Sequence, residues 1–384
     1  MCARQKKPMI DTVILTIPRD KMRFINNEGG MSAWDLQSRT PNYEKFVQNP
    51  PRPLSKSVYR PRLTGIKRRT IGNNFNSFLK IEFSVPKLIY GNNFDEITDQ
   101  DFDKIAEALY QRLIEMGVII SRPDLENASV SAFHPSKNIM LSDGYTASSV
   151  SKELAKINLN KKFDLSKTSF RNDGQSLQGY TVSHSIVFYD KIADMAQSEK
   201  RAIDKDQTTQ QLQLFQIIKN QRPSLEVLRM EVRLSQKQKM NGVLRKLGFP
   251  DNPTFKDVCK KDICQKIVRF YWDTLIKDEN LFLFELLTGP KQLLKDIFRK
   301  HPRIKPKEAV YLTGLSLLCK DDDGIRGLRQ ILSNRLTQRN WYRISDGIKM
   351  LNSGVNKKSV HSWVKQIEDS IDNFSPIRAG SEPP

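Results

Sequence analysis

The triplet Tyr189-Asp190-Lys191 ends an apolar run, YTVSHSIVFYDKI, and sets a phenol beside a carboxylate and an amine. A tyrosine hydroxyl attacks a phosphodiester when a metal polarises the phosphate and a nearby cation favours the phenolate. Two further apolar stretches carry carboxylates. Glu82 lies in LKIEFSV, and Glu231 lies in LEVLRMEVRL between Arg229 and Arg233. Such oxygens suit Mg²⁺ or Mn²⁺, which prefer hard ligands. His134 in SAFHPSKN and His184 in VSHSIVF are 50 residues apart and form no His-x-His pair, so each offers a single ligand. Taken one at a time, a solvated glutamate on a strand face and a half-buried strand tyrosine are the ordinary readings. The four cysteines, Cys2, Cys259, Cys264 and Cys319, are scattered, and the lone C-x4-C has no second pair. That spacing argues against a disulfide framework and a structural zinc, and fits a reducing compartment.

These residues need strands to place them. FLKIEFSV alternates Leu79, Ile81 and Phe83 against Lys80, Glu82 and Ser84, the period-two signature. LEVLRMEVRL turns Leu228, Met230, Val232 and Leu234 inward and Arg229, Glu231 and Arg233 outward. MIDTVILTIP, ENASVSAFH and YRPRLTGIKRRT read as further strands, the last near an edge because of Pro61. Helices are expected over 98–116, near 146–157 and over roughly 196–220. After Gly248 the pattern becomes wholly helical, and the Pro- and Gly-containing tail from Ser375 reads as a frayed end. The expected fold is α+β: a mostly antiparallel sheet with helices on one face over 9–248, then an all-helical C-terminal domain over 254–374. If the strands share one sheet, its polar face gathers carboxylates among arginines.

The charge names a partner class. The chain of 384 residues has 63 Lys and Arg against 43 Asp and Glu, a net charge of +20. Residues 1–77 hold 15 basic against 5 acidic side chains. Arg60, Arg62, Lys67, Arg68 and Arg69 crowd into one strand there, as expected of a protein that neutralises phosphates. No run approaches the ~20 apolar residues of a membrane span, and no apolar segment of signal length follows the N-terminus. The segment NWYRISDGIKMLNSGVNKKSVHSWVKQIEDSI loosely suggests a helix-turn-helix, with Lys357 and Lys358 at the second helix. It supports a rival class, a non-enzymatic DNA-binding regulator.

In order along the chain, PKLIYGNN, HPSKNI, FYDK and RMEVRL, followed by EAVYLTGLSLL and GIRGLRQILSNRLTQRNWYRISDGIKMLN, resemble the replication initiators of filamentous phages and related plasmids, the gene II product type. The likeness spans about residues 9 to 354. It implies a site-specific nicking and joining enzyme for rolling-circle replication in a bacterial cytoplasm. Its partners would be double- and single-stranded origin DNA and the host replicative helicase and polymerase. Carried onto this chain, Tyr189 becomes the nucleophile, and Lys191 the cation that lowers its pKa. Glu231 becomes the favoured ligand for Mg²⁺ or Mn²⁺ and Glu82 a weaker one, with Arg229 and Arg233 on phosphate oxygens. The chain departs from the family at Asn127, where members carry Asp, so that either Asp124 or His134 supplies the missing ligand or the metal site differs. Tyr145 and Tyr180 are the rival nucleophiles.

Overall fold

The computed structural model describes residues 9–24, 43–48, 58–69, 75–157, 169–171, 176–196, 209–221, 225–274, 280–286, 289–332, 335, 337–353, 355 and 359–379. Its centre is a nine-stranded sheet, antiparallel at every pairing, built from β1 (Ile10–Pro18), β3 (Tyr43–Gln48), β4 (Arg62–Arg69), β5 (Phe75–Ser84), β7 (Ser129–Leu141), β8 (Ser169–Arg171), β9 (Ser176–Tyr180), β10 (His184–Asp190) and β11 (Glu226–Leu234). Across the sheet the order is β3-β4-β5-β1-β7-β11-β10-β9-β8. Two short strands, β2 (Arg23–Phe24) and β6 (Val118–Ile119), pair separately.

Alternation decides which face is dry. Val13, Leu15 and Ile17 of β1 lie opposite Phe83, Ile81 and Leu79 of β5, and Leu234 of β11 lies opposite Phe133 of β7. All of these are buried in one cluster that runs from Met9 to Phe374. Helices Phe102–Glu115, Ala147–Ala155, Lys261–Trp272 and Ser362–Asn373 give it their buried residues, and Phe255 packs its ring edge-on against Phe83 at 5.5 Å. The boundary expected near 250 is therefore no break in the core. Lys261–Trp272 packs on β7 and β11, and Ser362–Asn373 packs on β7. Helices Pro290–Lys300, Pro306–Lys320, Gly324–Leu332 and Gln338–Asn352 pack mainly on one another. Because Ser362–Asn373 buries Trp363, Val364, Ile367 and Ile371, it is a core helix; Lys357 and Lys358 lie outside the described residues.

Among the described residues the second face is covered at one end. Helices α5 (Lys191–Ala196) and α6 (Thr209–Gln221) pack there through Met195 and Ile218, while α1 (Val85–Tyr90) gives Val85 and Leu88 to the main core. A small apolar cluster of Phe94, Met195, Ile218, Val227 and Ile377 fills the covered end. Gly91 ends α1 at φ +68°, a left-handed turn suited to glycine, and sends the chain into the segment 92–98.

That segment caps an exposed strand edge. β7 pairs with β1 only as far as Pro135, since β1 begins at Ile10. Beyond it, Ser136 donates to Met9 O at 3.1 Å, and the Asn138 N–H donates to Glu96 Oε1 at 2.6 Å. Glu96 Oε2 accepts from Lys137 Nζ at 2.9 Å and from the Ile377 N–H at 2.8 Å, while Lys137 also reaches Ser375 O at 2.9 Å. The tail expected to fray is thus docked: Ile377 O accepts from Glu96 N at 3.0 Å, and Ala379 N donates to Asp95 Oδ1 at 2.7 Å.

Glu96 and Lys137 are each about 2% exposed, so removing one partner leaves the other charge stranded. Lys137→Met should lower stability by about 3–5 kcal/mol. The double change Lys137→Met with Glu96→Gln should recover part of that loss. Urea unfolding midpoints of the three proteins check this, and a double variant as weak as the single one would contradict it.

Candidate active site

β10 and β11 run antiparallel with Tyr189 opposite Arg229 and Val187 opposite Glu231. Tyr189 and Glu231 are therefore diagonal neighbours on the second face, and the Tyr189 hydroxyl donates to Glu231 Oε2 at 3.3 Å. β7 brings His134 to the other oxygen, with Nδ1 at 3.4 Å from Oε1. Arg233, two residues along the same strand, donates from Nε to Oε1 at 2.8 Å and from Nη2 to Oε2 at 3.4 Å. Three of the residues singled out from the sequence thus meet at one carboxylate. Burial pushes the Glu231 carboxyl up, but Arg233 and His134 outweigh it and hold it well below the usual range. Glu231 is ionised at neutral pH, though its side chain is almost wholly buried rather than facing solvent as alternation alone suggests.

Arg229 is not a phosphate clamp. At 1% exposure, it donates to Asn93 O at 2.8 Å and to Ser136 Oγ at 3.1 Å, and Asp11 Oδ1 lies 3.3 Å away. Asp11 went unnoticed in the sequence. The register of β1 against β7 slips between Ile10 and Thr12, so Asp11 is the extra residue of a bulge. The bulge turns it to the second face instead of the core face of Val13 and Leu15. A carboxylate where alternation asks for an apolar side chain was the available signal.

Lys191 does not act as expected either. Its side chain is wholly buried, Nζ has no hydrogen-bond partner among the described residues, and the Asp194 carboxylate is 3.7 Å away. It lies 5.7 Å from the centroid of the Tyr189 ring. Burial, reinforced by Arg229, brings its pKa down to about 7. Burial also drives the Tyr189 phenol well above its ordinary value, and the opposing pull of Arg229 does not compensate. The resting site holds a phenol that donates to Glu231, not a phenolate.

Other expected residues fall elsewhere. Glu82 is opposite Arg62 on β4 and Ile14 on β1. It shares the second face with Glu231 but stands three strands from β11, about 14 Å at the usual strand spacing. Arg62 and Arg68 alternate onto this face and are exposed, whereas Lys67 points to the opposite one. Arg60 donates to Glu115 Oε2 at 3.1 Å, which ties it to a helix end, and the Arg69 side chain lies outside the described residues. Asp124 pairs with Lys21 at 2.9 Å, and Asn127 donates to Pro123 O at 2.8 Å. Both precede Ser129, which is five strand residues, about 16 Å, from His134. Of the two replacements for the missing aspartate, only His134 is therefore at the site. Tyr145 bonds His361 at 3.1 Å, far along the chain from the cluster, while Tyr180 lies opposite Ser185 on the same face as Tyr189. His184 is held in a turn by Thr181 Oγ1 at 2.9 Å, and burial takes its pKa down to about 4.

Among the described residues no three His, Cys, Asp or Glu side chains converge on a common point. Glu231 and His134 are the two side chains that could offer donors to a Mg²⁺ or Mn²⁺ ion, the Glu231 oxygens being already in contact with Tyr189, Arg233 and His134. Cys259 and Cys264 are buried thiols whose pKa values burial pushes up. No protein-family model, curated protein or solved structure matches this chain.

A lysine with a pKa near 7 in the fold and 10.5 in water gives a signed test. Between those values the unfolded chain binds a proton that the folded chain does not, so wild-type stability rises with pH. Lys191→Met removes a burial penalty that is complete below pH ~7 and gone above pH ~10.5. It should therefore stabilise the protein by a few kcal/mol, on the order of 1.4 per pH unit of displacement, at pH 6, and hardly at all at pH 10. Thermal or urea unfolding at both pH values checks this. A gain that did not change with pH would mean that the amine is solvated.

Proposed function

We propose that this protein nicks and rejoins one DNA strand at a replication origin through Tyr189, as the gene II product likeness implies. The observation that carries the reading is the Tyr189 hydroxyl 3.3 Å from a buried, ionised Glu231. The face they share also exposes Arg62 and Arg68. In the forward step the Tyr189 oxygen bonds to phosphorus while the bond from phosphorus to the 3′ oxygen breaks. The phenol proton passes to Glu231, and the departing 3′ oxygen takes up a proton from solvent. The reverse sequence rejoins the strand. Glu231 and His134 would hold Mg²⁺ or Mn²⁺, whose role when bound is to polarise the phosphate. Arg233, about a third exposed and paired with Glu231, would meet phosphate oxygens with its remaining N–H groups. Origin DNA and the host helicase and polymerase are the partners this reading requires. Among the described residues no helix is long and apolar enough to cross a membrane.

Tyr189→Phe removes one oxygen and almost no volume. The variant should bind origin DNA as wild type does, yet neither nick it nor form a denaturant-resistant adduct in Mg²⁺ or Mn²⁺. Glu231→Gln should also lose nicking. Gel analysis of supercoiled DNA carrying the sequence that flanks this gene reads both. An adduct on Tyr180 would move the nucleophile to the neighbouring strand β9, and a wild-type protein that binds but never nicks would be the non-enzymatic regulator instead.

The exposed cations give a second measurement. Replacing Arg62 and Arg68 by Ala should reduce the slope of log affinity against log salt by ~0.7–0.9 per lost phosphate contact, without altering sequence preference. An unchanged slope would place the DNA elsewhere.

A further inference from the structure

Helix α11, Pro306–Lys320, is apolar on both sides. Its inner side, with Ala309, Leu312, Leu315 and Cys319, is buried in the core. Its outer side shows Val310 59% exposed and Leu318 57% exposed, with Tyr311 and Leu317 between them. A surface helix ordinarily turns charge outward, so an apolar outer stripe marks a contact surface.

The stripe has an internal symmetry about Gly314, which is exposed and has no atom within 4 Å of where a Cβ would stand. Four residues before it is Val310 and four after it Leu318; three before it is Tyr311 and three after it Leu317. The charges follow the same rule with opposite signs. Lys307 and Asp321, at the two ends of the helix, are seven residues either side. Positions 307, 311, 314, 318 and 321 are spaced by four and three in turn, the seam of a coiled-coil pair.

We propose that α11 packs antiparallel on α11 of a second copy of this chain, about a two-fold axis through Gly314. Such an axis brings every residue level with the one equally far on the other side of Gly314. Apolar side chains then meet apolar ones, and Lys307 of each copy faces Asp321 of the other, a pair that forms twice. Gly314 lets the two backbones approach at the crossing. A single helix against a single helix is small among specific interfaces, so the dimer is weak and concentration-dependent. The net charge of +20 on each copy opposes it, so salt strengthens association.

Sedimentation equilibrium of the full chain, freed of nucleic acid and measured from about 5 to 200 µM, tests the proposal. The mass should rise with concentration from 44.3 kDa toward twice that value. Leu318→Glu should weaken association at least tenfold. Lys307→Asp should weaken it as well, and adding Asp321→Lys should restore it, because the swapped charges again face each other. All three positions are exposed, and circular dichroism confirms that each variant is folded. A monomer throughout the range would overturn the proposal and leave the stripe for some other partner. A dimer indifferent to Leu318→Glu, or a charge swap that fails to restore association, would overturn it too.

Discussion

Arg229 keeps its charge where water hardly reaches, so the chain itself must supply acceptors for the guanidinium. They come from three separate places. Asn93 offers a carbonyl from the segment after α1, Ser136 a hydroxyl from β7, and Asp11 a carboxylate from the bulge in β1. Each of these has its own structural condition: the left-handed turn at Gly91, the strand edge beyond Pro135, and the extra residue between Ile10 and Thr12. The covered end of the second face is therefore assembled around one cation. Through its field, Arg229 also lowers the Lys191 pKa and opposes the effect of burial on Tyr189. One side chain thereby links the packing of the sheet to the protonation of the candidate site.

The site shows two effects in competition on one phenol. A buried tyrosine keeps its proton because a phenolate loses its hydration, while neighbouring cations favour losing it. Here burial wins, and the adjacent ionised Glu231 adds to it. The same desolvation makes Lys191 a poor cation, so proximity to an amine does not by itself activate the tyrosine. What the arrangement supplies is a proton acceptor already in contact with the hydroxyl and already charged. Ion pairing with Arg233 and the contact with His134 keep that acceptor ionised despite its burial.

Period-two patterning made the frame legible. The inward residues of β5 and β11, the strand carrying FYDK and the meeting of Tyr189 with Glu231 on one face all follow from alternation and strand order. Alternation speaks only of faces, however. It assigned Arg229 and Glu231 to the polar face without revealing that α5, α6 and the 92–98 segment cover it. It hid Asp11, because a bulge reverses the rule locally. It placed Glu82 on the correct face but gave no hint of the three intervening strands. The change to helical patterning after Gly248 was real, yet a run of helices does not say whether they pack on each other or on the sheet. The helices Lys261–Trp272 and Ser362–Asn373 take the second option. Pro and Gly in the tail pointed to disorder, whereas its backbone polar groups complete an edge more than 230 residues away.

The docking of that tail bears on how the protein is made. The Asn138 N–H and the Glu96 carboxylate lie near the middle of the chain, but two of their companions, Ser375 O and the Ile377 N–H, are among the last described residues. During synthesis at ~5–20 residues per second, the central sheet is out of the ribosome for many seconds before Ile377 emerges. Throughout that time β7 has an open edge, and the buried Lys137–Glu96 pair is only part built. The β7 edge is therefore completed late, only once the segment around Ile377 is available. Contacts this distant in sequence form slowly, and an unpaired strand edge invites association with other chains. Emergence of the 375–379 segment, more than local folding of the sheet, sets the moment at which this edge closes.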